Sequence, residues 1–202
     1  MTAGSPARLA VLVSGNGSNL QAVLDACATG MLDADVVLVL ANQPDAYALT
    51  RAAAAGVPTE VRPHQGRDRR AYDAELADLV DAHGADLVVL AGWNRLLTSE
   101  FVARHTTINL HPAKPGTFVG LGAIETAYEA WRAGRIDEGG VMVHFVPDEG
   151  VDDGPTIGWA AVPFEPGDTL ETYEARVHAA EHTLLVESIA TVLARAEATG
   201  GR

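Results

Sequence analysis

The sequence predicts an α/β fold, an open and mostly parallel twisted sheet with helices on both faces and a C-terminal antiparallel hairpin. Three observations carry this reading. Short β-rich apolar runs alternate with helix-length segments up to Leu110, the pattern of parallel strands joined by helical crossovers. Two of those runs end in turns rich in glycine and asparagine, Ser14-Gly15-Asn16-Gly17 and Gly92-Trp93-Asn94. After residue 135 the texture changes to two alternating segments around a turn-rich stretch.

Leu9–Val13 is a buried parallel strand that stops abruptly at Ser14-Gly15. Ser18-Asn19-Leu20-Gln21 has the S-x-x-Q form of a capping box, opening a helix to about Thr29-Gly30. Val36–Leu40 is a second strand, and a helix runs from Asp45 to about Ala55 with Gly56 beyond it. Pro58–Arg62 is a short edge strand, followed by a helix from Asp68 to about His83, closed by Gly84. Asp86–Gly92 and Thr107–Leu110 are the fourth and fifth strands. Gly140–Val146 and Ile157–Val162 form the hairpin, and a long closing helix covers Thr169 to about Ala198 before a glycine-containing tail expected to fray.

At 202 residues with 48% apolar composition, the chain can bury one sizeable core, so residues 1–202 are expected to form a single domain. A net charge of −13 argues against a broad nucleic-acid surface; an anionic substrate would have to be met by backbone amides and a few arginines. The lone Cys27 excludes an internal disulfide framework and fits a reducing compartment. With no continuous apolar stretch of membrane-spanning length and no leader pattern at the N-terminus, the expectation is a cytoplasmic protein with small-molecule partners, monomeric or homodimeric.

Open sheets of this kind bind ligands beyond the carboxyl ends of their strands, where strand order reverses. The Gly15–Asn19 loop, the segment after Gly92, and His111 all fall at such ends. Gly15-x-Gly17-x-x-Leu20 lacks the third glycine of a dinucleotide fingerprint, and Asn42 stands where an acidic residue should close the second strand. Two glycines, two asparagines and a serine before a helix still suit an anion nest, the plain alternative being a tight turn. Asn109 and His111, two apart on a strand, share one face, and Pro112 ends it. A strand-end histidine can be purely structural, but the pairing with Asn109 favours catalysis.

Asp148-Glu149-Gly150-Val151-Asp152-Asp153-Gly154-Pro155 carries four acids in a glycine-broken loop. The spacing fails for a calcium loop, leaving a solvated turn or a partner for His111. An acid beside His111 would favour a protonated, donating imidazole. Together an amide, an imidazole and a carboxylate suit direct acyl transfer to an amine; Ser14 and Ser18 lack a nucleophile elbow, and Cys27 reads as a small packed residue. His178-Ala179-Ala180-Glu181-His182 matches the H-x-x-E-H zinc signature, yet such a site needs a third ligand well downstream, and only about 20 residues remain, all in the helix end and tail. No metal is therefore expected, and Glu181 is free to meet ligand hydroxyls.

Five stretches in order resemble the phosphoribosylglycinamide formyltransferase (glycinamide ribonucleotide transformylase) family of the folate-dependent formyltransferase superfamily. They are Ser14–Leu20, Leu90–Leu97, Ile108–Pro112, Val143–Val146 and Asp152–Pro155. The resemblance covers nearly the whole length and implies a Rossmann-like formyltransferase fold. It implies transfer of a one-carbon formyl group from 10-formyltetrahydrofolate, as co-substrate, to the amine of 5-phosphoribosylglycinamide in purine biosynthesis. In that scheme Gly15, Asn16, Gly17, Ser18 and Asn19 hold the phosphate and Glu181 the ribose hydroxyls. Trp93, Asn94, Arg95, Leu96 and Leu97 line the folate pocket, with Arg69 near its tail. Asn109 and protonated His111 stabilise the oxyanion, and Asp152 supports His111 and relays the amine proton. The N-terminal half thus binds phosphate, and the C-terminal half folate and the chemistry.

The chain departs from the family after His111-Pro112. Lys114, Val119-Gly120, Leu121 and Gly122 stand where the family has a leucine, a proline and glycine, a threonine or leucine, and a histidine. The segment from His144 to Asp152 is one residue longer than in some relatives, leaving Asp153 a rival to Asp152. Formyl transfer to another amine, deformylation of 10-formyltetrahydrofolate, and a ligand-binding protein impaired by the 113–122 loop are the alternatives these departures leave.

Overall fold

In a computed structural model that describes residues 5–200, strands and helices alternate along the chain. They are β1 (Ala7–Val13), α1 (Ser18–Ala28), β2 (Ala34–Ala41), α2 (Tyr47–Ala54), β3 (Thr59–Val61), α3 (Arg69–Ala82) and β4 (Leu87–Leu90). There follow α4 (Ser99–Arg104), β5 (Thr107–His111), α5 (Ala123–Arg132), β6 (Glu138–Phe145), β7 (Thr156–Pro163) and α6 (Leu170–Gly200). One sheet holds all seven described strands in the order β3-β2-β1-β4-β5-β6-β7. The pairs from β3 to β5 are parallel, while β5–β6 and β6–β7 are antiparallel. The expected doubly covered parallel sheet and added hairpin are both present.

The strand pattern explains why the sheet is covered twice. Leu9, Val11 and Val13 pack into one apolar cluster with α1, α2, α5 and α6, whereas Ala10 and Leu12 pack into another with α3 and α4. Side chains of a strand alternate between faces, so a continuous apolar run such as Leu9–Val13 needs cover on each side. The chain leaves β1 towards β2 and β3, then returns across the other face to β4. Strand order therefore reverses between β1 and β4, and the loops after these strands flank the crevice. The Ser14 N–H donates to Gly92 O (2.9 Å) and the Asn94 N–H to Ser14 Oγ (3.0 Å), tying those loops together.

Several local expectations need correction. Ser18 is the first residue of α1, not its cap: Gly17 occupies the cap position with φ 75°, and no side chain caps the helix. Gln21 turns instead to Asp25, donating to Oδ1 at 2.9 Å, so there is no capping box and the first-turn amides stay available. α2 begins at Tyr47, because neither Asp45 nor Ala46 supplies a cap. α4 and α5 are not anticipated from the sequence. α4 has only 6 residues, too short to show a period, and α5 follows a turn-rich loop that masks its Ala123, Ile124, Ala127, Ala130 stripe. By contrast Asp68 caps α3 as expected, accepting from the Ala71 N–H at 2.9 Å. α6 extends to Gly200, and the end of the tail expected to fray lies outside the described residues.

Gly139 on β6 packs beneath α6, where a Cβ would lie 1.9 Å from the Tyr173 hydroxyl. Gly139→Ala is expected to cost about 1–3 kcal/mol by overpacking, read as a lower urea midpoint at unchanged slope. Placed in a Tyr173→Phe background, which removes the atom struck, the same change should cost less. An equal cost in both backgrounds would refute the contact.

Candidate active site

Asn109 and His111 leave β5 on the same side, and the antiparallel register sets His144 of β6 directly opposite Asn109. The loop after β6 then returns Asp152 to this point. Its backbone has φ 52°, a left-handed conformation that aspartate tolerates better than most residues. Asn109 Nδ2 donates to Asp152 Oδ1 (3.0 Å) and lies 3.2 Å from His144 Nε2. Asp152 Oδ2 faces His111 Nδ1 at 3.3 Å and accepts the Gly120 N–H at 2.9 Å. Asp153, the rival acid, is exposed and does not line the cleft.

This carboxylate is held ionised. Burial opposes its charge, but His144, the Gly120 N–H and the charge of His111 outweigh burial and bring its pKa below the usual aspartate value. His111 Nε2 meets a second acceptor, the Phe118 carbonyl, at 3.0 Å. With acceptors at both ring nitrogens, only the doubly protonated imidazole satisfies both contacts. His144 Nδ1 faces the Phe145 carbonyl at 2.8 Å, so the proton there fixes the ring beside Asn109. Sequence reading missed His144, Gly120 and Phe118. His144 was visible as a histidine in an apolar strand; nothing local showed which residue it would oppose.

The unusual 113–122 loop is folded onto this cluster. Phe118 takes φ 45°, the strained conformation that aims its carbonyl at His111. Lys114 points away from the cluster: its Nζ pairs with Glu138 on β6 at 3.1 Å, and its stem fills the space a Cβ on Gly140 would need. Gly122 caps α5 with φ 73°, a backbone that a histidine adopts only with strain.

The cluster opens into a cleft of 490 Å³ lined also by Trp93, Asn94, Arg95, Leu96, Leu97, Val151 and Glu181. Arg69 is not among the lining residues. It staples the cleft wall from outside, donating to Leu96 O (3.3 Å), Leu97 O (2.9 Å) and Glu149 Oε2 (2.9 Å). Glu149 Oε1 also accepts the Ser99 N–H at 3.0 Å, so one ion pair joins the wall to the loop carrying Asp152. Behind the wall, Asp73 is fully buried and accepts the Thr98 N–H at 2.7 Å. Burial pushes its carboxyl pKa above the usual value, and the bonds from Thr98 and the charges of Arg95 and Arg69 only partly offset this.

A smaller recess of 170 Å³, lined by Gly15 to Asn19 with Ala91, Gly92 and Asn94, adjoins the cleft. Asn19 belongs to both cavities. Its Nδ2 donates to the buried Glu181 carboxylate at 3.1 Å, and His178 Nδ1 lies 2.8 Å from the same oxygen. Glu181, the strongest influence on His178, raises that imidazole pKa. His178 and Glu181 both line the cleft. Among the described residues, no group of three or more His, Cys, Asp or Glu side chains is placed to hold a metal ion.

Comparison with known proteins gives a consistent answer. Residues 7–189 match the family model described as formyl transferase. The phosphoribosylglycinamide formyltransferase of Schizosaccharomyces pombe is 44% identical, covering 93% of this chain and 97% of that protein. That of Escherichia coli is 41% identical over 87% of this chain and 82% of its own length. Among solved structures, glycinamide ribonucleotide transformylase 1 from Symbiobacterium toebii superposes with a TM-score of 0.85 at 40% identity, covering 93% of this chain and 87% of that one. The Bacillus halodurans phosphoribosylglycinamide formyltransferase gives 0.86 at 33% identity, covering 94% and 96%.

Asp152 and Asp73 should respond to pH in opposite directions. Asp152, with its pKa lowered, stabilises the fold above the ordinary aspartate value of about 3.9 and loses that contribution as pH falls through its own value. Asp73, with its pKa raised, weakens the fold as pH rises from about 3.9 through its own value. Urea denaturation across a pH series should therefore show the deficit of Asp152→Asn narrowing in acid. Asp73→Asn should gain on the parent chain as pH rises, then level off; a pH-independent difference would show that neither shift exists.

Proposed function

The chain belongs to the formyl transferase family, and we propose that Asn109, His111 and Asp152 carry its chemistry, with His144 positioning Asn109. The reaction moves a formyl group from 10-formyltetrahydrofolate to the amine of 5-phosphoribosylglycinamide, a step of purine biosynthesis. The observation that carries the assignment of residues is the convergence of Asp152 on Asn109 and His111 from a loop more than forty positions along the chain.

The amine adds to the formyl carbon, and the formyl oxygen gains negative charge. Protonated His111 and the Asn109 amide are the donors for that charge, each worth about 3–4 kcal/mol of barrier. In the present loop conformation the Phe118 carbonyl occupies His111 Nε2, so the forming oxyanion takes over a bond the loop now makes. Asp152 faces the imidazole, accepts the amine proton once the C–N bond to the acceptor has formed, and passes it to the folate nitrogen as the C–N bond to folate breaks and the formyl C=O re-forms. The apolar wall of Trp93, Leu96 and Leu97 with Asn94 and Arg95 holds the folate ring system, and Arg69 braces that wall beside its tail. Gly15 to Asn19 hold the phosphate, and Glu181 the ribose hydroxyls. Phosphate binding and the folate-pocket wall at Trp93–Leu97 thus fall in the N-terminal half, and the catalytic residues in the C-terminal half.

The 113–122 loop, which departs from the family pattern, is compatible with this activity. Lys114 is committed to Glu138, and glycine at 122 suits the backbone there. No helix among the described residues is long and apolar enough to cross a membrane. A cytoplasmic enzyme, monomeric or homodimeric, is part of the same proposal.

A steady-state assay with 10-formyltetrahydrofolate should show formylation of 5-phosphoribosylglycinamide and no formate release without acceptor. Asn109→Ala and His111→Ala should each lower kcat by about 10²–10³ with little change in either KM. Turnover that survives both changes would reject the assignment.

A further inference from the structure

α2 lies against the phosphate loop on the side away from the cleft, and its contacts are with loop carbonyls. The Ala48 N–H donates to Gly15 O at 3.2 Å. Arg51 Nε donates to Asn16 O at 3.0 Å, and Nη2 to Asn16 Oδ1 at 3.1 Å. The third arm, Nη1, reaches Gln21 Oε1 at 3.3 Å. The guanidinium lies over the Tyr47 ring, 4.9 Å from its centroid. Gly17 is pressed against Ala48, so that a Cβ on it would come within 2.5 Å of the Ala48 Cβ.

These contacts share an electrostatic sense. A loop that holds an anion must turn its N–H groups inwards and its oxygens outwards. Here two successive backbone carbonyls, Gly15 O and Asn16 O, and the Asn16 side-chain oxygen are drawn onto α2. A planar guanidinium can grip two oxygens at once, as an ammonium cannot. In a chain of net charge −13, a fixed cation behind this loop also counters the field that would repel a phosphate.

We propose that Arg51 is a positioning residue for acceptor recognition, holding the oxygens of Asn16 outwards so that the Gly15–Asn19 amides face the acceptor's phosphate. This rests on the assignment of that loop to the phosphate. Arg51 acts through the loop, and its removal should be felt by the phosphate and not by the rest of either substrate.

The test compares 5-phosphoribosylglycinamide with its dephosphorylated counterpart as acceptors. The parent enzyme should prefer the phosphorylated compound. Arg51→Gln should lower kcat/KM for it by about tenfold or more, mainly through KM, and weaken inhibition by inorganic phosphate. Its kcat/KM for the dephosphorylated acceptor and its KM for folate should stay within about twofold. Arg51→Lys keeps the charge without the two-point grip, so it should lose at least about threefold on the phosphorylated acceptor. Equal losses on both acceptors, or none with Arg51→Gln, would overturn the proposal, as would full retention by Arg51→Lys. Should the parent enzyme fail to distinguish the two acceptors, the phosphate assignment itself falls, and the role of Arg51 with it.

Discussion

A single buried carboxylate, Asp152, ties the active centre together. It receives the Asn109 amide and the Gly120 N–H and faces His111, so it touches the end of β5 and the loop after it from a third segment of chain. A buried charge is tolerated only when paired and hydrogen-bonded. The requirement works in both directions: the donors keep the acid ionised, and the acid keeps the donors oriented. The strained backbones of Phe118 and Asp152 sit in this same network, and such strain persists where the surrounding contacts over-determine it.

The remainder of the site supplies rigidity to that centre. The change from parallel to antiparallel pairing at β5 matters because it brings His144 opposite Asn109 and sends the following loop back over the cleft. The Arg69–Glu149 pair, half exposed at the cleft edge, contributes little as an isolated ion pair. Its value is geometric, since the same guanidinium also grips Leu96 O and Leu97 O. Asp73 acts similarly from behind, through Thr98. The cleft wall is thereby fixed by backbone bonds as well as by packing.

An acidic protein that takes a phosphorylated acceptor depends on local solutions to an unfavourable overall field. In the proposed scheme, the uncapped amides at the start of α1 and the Arg51 face of α2 are such solutions. The departures from the family in the 113–122 loop are locally consistent as well. Lys114 has its own partner on β6 and a glycine to lie across, while Gly122 has the backbone its position requires.

The sequence by itself determined the alternation of strands and helices, the crevice-facing loops and the strand-end pair Asn109 and His111, because apolar periodicity, turn composition and strand-end chemistry are local properties. It also separated Lys114 and Gly122 from the family pattern without showing where they point. Tertiary structure decided the rest. Only strand register could put His144 beside Asn109, since a shift of one residue sends a side chain to the opposite face, and only the fold of the loop after β6 could choose Asp152 over Asp153. Only packing between distant elements could turn Arg69 and Arg51 into braces and bury Asp73 behind the cleft wall, because such contacts join segments that the order of residues does not relate.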